Sequence, residues 1–416
     1  MGFFITCLYV ALIFLRPQEF IEDIKGWPIV EVMAYVSLAV VFLEGDFKAE
    51  VFKRTPTNAL VLAFWLAMPF SNLANFWFGG VSYAFIEIAK VAIVYFLIVL
   101  TVDSWSKLKV FLWLLVLCAA FLAGQAIVQY NTGIGLVGGH ALLRDGELIQ
   151  ARGIGIFSDP NDLALNIVPM VAFVLPSFHK RLLSRTWITG ILFLIPMVVG
   201  ITYTHSRGGM LALAAVGWYY LRQRVGRAAS VVGVLLILAA MMAVPRMGEI
   251  NAQEESAHSR LEHWGYGLDQ FKAHPLFGIG FSMFTNDYPQ TAHNSFVLVF
   301  TESGLLGATI WVAMFFSSFR DLRLLRREWR GPPFLTEAAD SLFAALVGWL
   351  VAAFFLSQTY KPLSFILMAL VVAVQNALAK EGVTLVHPWR LKEYATCLIL
   401  TISGIVILNL TIMAMW

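Results

Sequence analysis

Residues 91 to 124 read VAIVYFLIVLTVDSWSKLKVFLWLLVLCAAFLAG, two apolar runs parted by a short polar hinge that carries Lys107 and Lys109. The runs extend over 81 to 101 and 108 to 128. Each is long enough to cross a bilayer, which takes about 20 residues. Working outward, the pattern recurs at 57 to 78, 161 to 177, 187 to 204, 227 to 245, 293 to 316, 339 to 356, 362 to 379 and 394 to 415, with shorter runs at 1 to 15, 29 to 43 and 208 to 221. The chain is 59% hydrophobic and 13% charged, where a soluble domain has roughly 25% charged residues. The sequence therefore predicts an all-α, polytopic integral membrane protein with 12 or 13 transmembrane helices. The first run lacks the basic leader and small-residue cleavage site of a secretory signal, so it reads as a retained helix.

Short cytoplasmic loops collect lysine and arginine. With the N-terminus inside, nineteen of the 29 basic residues fall in inner connections and nine in outer ones, and Lys90 alone lies within a span. The run from Arg320 to Arg330 then reads as a topology anchor, and no nucleic-acid partner is expected. Cys7, Cys118 and Cys397 sit in apolar spans without paired spacing, as packing residues do. The organisation expected is N-terminal helices over 1 to 130, a core over 131 to 316 and C-terminal helices over 317 to 416. Long ordered loops usually carry function, and two outer loops stand out, 129 to 160 and 246 to 292.

The second loop carries an amphipathic helix. Ser259 and Glu262 have capping-box spacing, Leu261, Trp264, Leu268 and Phe271 recur at helical intervals, and His274-Pro275 ends the pattern. Such a cap puts Arg260 at the first helical position, where free N–H groups and the helix dipole favour an anion. Arg207 precedes Gly208-Gly209 and an inward span, and His293 with Asn294 heads another. A histidine titrating near neutrality exchanges a proton, while an arginine keeps its charge and grips phosphate. The span from Gly208 to Leu221 covers only about 21 Å, which would set Arg207 below the membrane surface. Two readings stand for it: an arginine snorkelling at a helix end, or one holding an anion, with Gly208 and Gly209 admitting another backbone or a phosphate. His293 likewise reads as an interfacial residue at a helix end or as a base.

Other candidates carry less. Asp145 and Glu147 resemble the acidic pairs that hold Mg²⁺ or Mn²⁺, but a solvated turn explains them better. His258 and His263 do not share a helical face, and HExxH is absent, so no metal site is expected. Glu87 and Lys90, three residues apart in a span, form an intrahelical pair or line a cavity. Asp159-Pro160-Asn161 reads first as a helix start, with glycan binding by Asn161 secondary. A transporter would show related halves with broken helices and ionisable groups at the midplane. Here the polar groups cluster outside, which leaves transport a remote alternative.

Taken in order, Gly155-Ile-Phe-Ser-Asp-Pro-Asn161, Thr204-His-Ser-Arg-Gly-Gly209, Arg260 with Trp264, Pro275-Leu-Phe-Gly-Ile-Gly280, Ala292-His-Asn-Ser295 and Glu302-Ser-Gly-Leu-Leu-Gly307 resemble the core shared by bacterial O-antigen ligases and O-antigen polymerases. The resemblance covers roughly residues 150 to 310. It implies a multi-pass glycosyltransferase of the bacterial inner membrane, with its active site facing the periplasm and taking a glycan from undecaprenyl diphosphate. The acceptor is a lipid A core sugar in a ligase, the growing glycan in a polymerase, and a protein in the related O-oligosaccharyltransferases. Under this resemblance His293 is the base, Arg207 and Arg260 stabilise the leaving diphosphate, and Gly208, Gly209, Asn161 and Asn294 contact substrate; Lys90, outside the resemblance, is a substrate-contact candidate as an ionisable group within a span. Direct displacement inverts the anomeric centre, and neither metal nor cofactor is expected.

Overall fold

The computed structural model describes all residues except 46–50, 52–53, 145–147, 154–156, 243–254, 332, 384–388 and 416. Asp145, Glu147 and Gly155 thus lie outside the described residues. In chain order the helices are α1 (Gly2–Leu15), α2 (Ile29–Leu43), α3 (Pro56–Ala74), α4 (Phe78–Thr101), α5 (Trp105–Thr132), α6 (Pro160–Val174), α7 (Arg185–Tyr203), α8 (Arg207–Met242), α9 (Glu255–Ala273), α10 (Phe284–Asp287), α11 (Ser295–Glu328), α12 (Pro333–Ala353), α13 (Pro362–Lys380) and α14 (Leu391–Met415). An antiparallel hairpin, β1 (Leu142–Arg144) with β2 (Leu148–Gln150), sits in the first long loop. The protein is an all-α polytopic membrane protein: ten of its described helices are long and apolar enough to cross a bilayer. The sequence reading also counts as spans the short run that forms α2 and the runs 208 to 221 and 227 to 245, which fall on the two segments of α8.

The chain divides into two compact units. The first comprises residues 1–44, 104–250 and 329–352; the second comprises 45–103, 251–328 and 353–416. Lipid supplies no hydrophobic drive between helices, so packing inside each unit depends on close approach. In the first unit a Cβ on Gly200 of α7 would lie 2.9 Å from the Ala123 Cα of α5, and one on Gly348 of α12 would lie 2.5 Å from a Val216 methyl of α8. In the second, α13 is the most enclosed helix, with 83% of its apolar window buried. Asn376 on α13 donates to Val99 O of α4 at 2.8 Å and accepts from Arg54 at 2.8 Å, a polar staple between buried helices.

Three local expectations are corrected. Ser259 is not a helix cap, because α9 begins at Glu255; glutamate and alanine before it are strong helix formers, so the helix starts ahead of its apolar stripe. Arg260 is consequently interior to α9 and not at its N-terminus. The inward segment after Arg207 is longer than Leu221 implies, since helix continues to a break at Gly226, where φ is 81°. From Arg207 to that break is about 28 Å, so no short helix forces Arg207 deep. Finally, α11 is not continuous. It breaks at Gly304, with φ 62° and ψ −163°.

Candidate functional site

The head of α11 is built by Asn294. Its Oδ1 accepts from the Phe296 and Val297 amides at 2.9 and 3.2 Å, the N-cap pattern. The side chain is fully buried, and Nδ2 has no hydrogen-bond partner among the described residues. His293 therefore stands immediately outside the helix, with φ 47°. Left-handed backbone costs a non-glycine residue about 1–2 kcal/mol, so the surroundings must impose it. They do so from both sides. Ala292 O accepts from the Trp264 indole of α9 at 3.0 Å, and Thr291 donates to Ser357 at 2.8 Å. Ser295 donates to Leu356 O at 2.5 Å and accepts from the Gln358 amide at 2.8 Å.

Facing His293 is a residue that sequence reasoning weighed only as a zinc ligand. The His263 ring lies 5.9 Å from that of His293, at 27° to it, and 5.0 Å from Tyr288, edge to face. Its Nε2 is 3.3 Å from Ser259 Oγ, one turn back on α9. His263 is 3% exposed. Burial pulls its pKa below the ordinary histidine range; His293 adds to the shift, Glu262 opposes it and Arg260 adds further. Arg260 thus belongs to the electrostatic surroundings of the histidine pair, although not as a helix-end group. What could have revealed His263 is its place three residues after Arg260 and one before Trp264.

Arg207, Asn161 and the glycine pair belong to the first unit. Ser206 caps α8, its Oγ accepting from the Gly209 amide at 3.1 Å and donating to Asn161 Oδ1 at 2.7 Å. Asn161 in turn sits in the first turn of α6, its amide donating to the capping carboxylate of Asp159 at 2.7 Å. The starts of α6 and α8 are thereby tied together, and Arg207 is the first residue of α8. Gly209 admits a neighbouring helix: a Cβ there would lie 2.5 Å from the Ala164 Cβ of α6. Gly208 is buried beside it. His205, just before the cap, is also left-handed at φ 49° and lies against Tyr130, which stacks on Tyr203 at 4.0 Å. Lys90 pairs with Glu87 at 2.7 Å on a partly exposed face of α4.

The break in α11 explains two glycine motifs that the sequence alone leaves without a mechanism. The segment 275–280 enters the gap as an extra strand of backbone. Ile279 N donates to Thr301 O at 2.9 Å and Gly280 N to Glu302 O at 3.1 Å, while Leu305 N and Leu306 N donate to Pro275 O and Leu276 O at 2.8 and 3.2 Å. Groups freed by the break are re-paired, as they must be where no water reaches. Ser71 of α3 donates to Phe277 O and Glu302 O, and Asn75 to Gly278 O. The buried Glu302 carboxylate accepts from the Phe284 amide at 3.2 Å. An acid inside an apolar span is itself a signal, and it points to this junction.

Beneath the α11 head lies a mainly apolar cavity of about 390 Å³, lined by Trp264, Asn294, Phe296, Trp311, Phe354 and Leu408 among others. The structure thus brings His293 together with His263, Asn294 and the cavity within the second unit, and Arg207 with Asn161 and Gly209 within the first. Among the described residues no group of three metal-ligating side chains converges. No protein of curated function matches the chain. Residues 192–312, from within α7 through the Gly304 break of α11, match the model of a family described as O-antigen ligase.

Proposed function

We propose that the protein is an O-antigen ligase, transferring a polysaccharide from undecaprenyl diphosphate to a sugar hydroxyl of lipid A core at the periplasmic face of the inner membrane. The observation that carries this reading is His293: an imidazole in forced left-handed backbone at a helix head, beside an apolar cavity, within the segment that matches the family. His293 takes the proton of the acceptor hydroxyl as its oxygen attacks the anomeric carbon. The bond from that carbon to the diphosphate oxygen breaks, and undecaprenyl diphosphate leaves with the negative charge. Arg207 and Arg260 stabilise that charge as fixed donors. Asn294 holds the helix head, and the cavity gives the isoprenoid chain an apolar seat. The displacement inverts the anomeric centre and draws on no metal.

The test is a reconstituted transfer assay in which the lipid-linked glycan is offered lipid A core, a protein and a second glycan in parallel. Product on lipid A core alone supports a ligase; product on the second glycan or on the protein replaces it with a polymerase or a protein O-oligosaccharyltransferase. In the same assay His293→Ala lowers the rate by about 10² to 10⁴, while donor binding and folding are kept and EDTA has no effect. A folded His293→Ala variant at wild-type rate removes the base assignment.

A further inference from the structure

We propose that the first unit holds one phospholipid whose headgroup carries both a phosphate and a primary ammonium, a phosphatidylethanolamine, in a pocket that the transfer chemistry does not use. The pocket has a volume of about 390 Å³ and is formed where α5, α7 and α12 begin and α6 ends. One face of α5 supplies Trp105, Lys109, Leu112 and Val116, residues at helical spacing that go from charged to apolar over about 16 Å of depth. Lys180, in the α6–α7 connection, adds a second cation, and Glu337 of α12 adds an acid.

The charges match one kind of occupant. Lys109 and Lys180 are exposed and make no ion pair among the described residues, so both are available to a phosphate. Glu337 would repel a purely anionic headgroup, and its contact with His179 Nδ1 is 3.5 Å, long for a strong hydrogen bond. An ammonium group uses that acid as an acceptor, with the Trp105–Phe334 stack, centroids 4.3 Å apart, beside it. The acyl chains follow Leu112, Val116 and Phe173 into the apolar layer. Basic pockets between membrane helices bind lipid headgroups by this logic; the added acid selects an amine-bearing one. The site stands independently of the transfer reaction.

The experiment is native mass spectrometry of the purified full-length protein, stripped of lipid and then exposed to POPE, POPC or POPG at equal concentration. Wild type retains POPE about fivefold or more above the others, the scale of one basic group at a membrane surface, and free O-phosphoethanolamine does not compete. Lys109→Gln with Lys180→Gln, both at exposed positions, lowers retention of all three lipids. Glu337→Gln removes the preference of POPE over POPC and leaves phospholipid retained. Equal retention of the three lipids by wild type overturns the proposal without any substitution, and so does a Glu337→Gln protein that keeps the preference.

Discussion

His263 and His293 are two imidazoles at close range, and burial sets them apart. With the His263 pKa lowered chiefly by burial, the folded protein keeps that ring neutral where an unfolded chain, titrating near 6.5, has begun to take a proton. Between the depressed and the ordinary value the unfolded state binds more protons, so stability rises with pH through this window and is lost as pH falls. The expected outcome is that wild type loses thermal stability relative to His263→Gln as pH drops from about 7 to about 5; a pH-independent difference between the two rules the assignment out. The arginines pose a separate question of geometry. If Arg207 and Arg260 each grip a diphosphate with paired N–H donors, lysine keeps the charge and loses the fork. Arg207→Lys and Arg260→Lys are then severely impaired in restoring glycan-bearing lipid A core to a ligase-deficient strain, while Arg144→Lys is nearly silent. Full restoration by both lysine variants removes the bidentate model.

The helices themselves were legible, because bilayer-length apolar runs leave few alternatives: 108 to 128 became Trp105–Thr132, and 362 to 379 became Pro362–Lys380. What the runs conceal is a break that keeps the apolar pattern unbroken. Nothing local distinguishes Gly304 from a packing glycine, since its reason lies in the backbone of residues 275–280. A Cβ on Gly304 would come 2.4 Å from the Leu276 carbonyl carbon, and one on Gly278 would come 2.4 Å from the Glu302 carbonyl carbon. Both glycines also have positive φ. Gly304→Ala should therefore destabilise by about 2 kcal/mol or more, combining backbone strain with a clash that only a backbone shift relieves. Gly404→Ala on α14 meets nothing within 4 Å and should be neutral or slightly stabilising, alanine being the better helix former. Thermal unfolding in detergent separates the two; equal midpoints show that the junction tolerates a side chain. The site was legible only in part for the same reason. Arg207, Arg260 and His293 announce themselves by chemistry, whereas His263, Glu302 and Ser71 matter through contacts made across distant segments.

For the molecule as a whole, the proposed chemistry requires one absolute fact, which side of the membrane His293 faces. α11 supplies a clean ruler. Its unbroken part runs from the Gly304 break to Glu328, within the basic run, and spans about 36 Å, more than the hydrocarbon core. Lys272 at the end of α9 and Arg327 at the end of α11 are both exposed, so a single crossing puts them on opposite faces. Under the proposed topology, which rests on the bias of basic residues, Arg327 is cytoplasmic and Lys272, with His293, is periplasmic. Cys118 and Cys397 are buried and Cys7 partly so; with Cys7 replaced by serine the background of thiol labelling is low. In cells with a permeabilised outer membrane and an intact inner one, an impermeant maleimide should label Lys272→Cys within minutes and reach Arg327→Cys only after the inner membrane is opened. The reverse pattern would place His293 in the cytoplasm, away from a glycan displayed on the periplasmic leaflet, and the ligase reading would fall together with the assignment of its base.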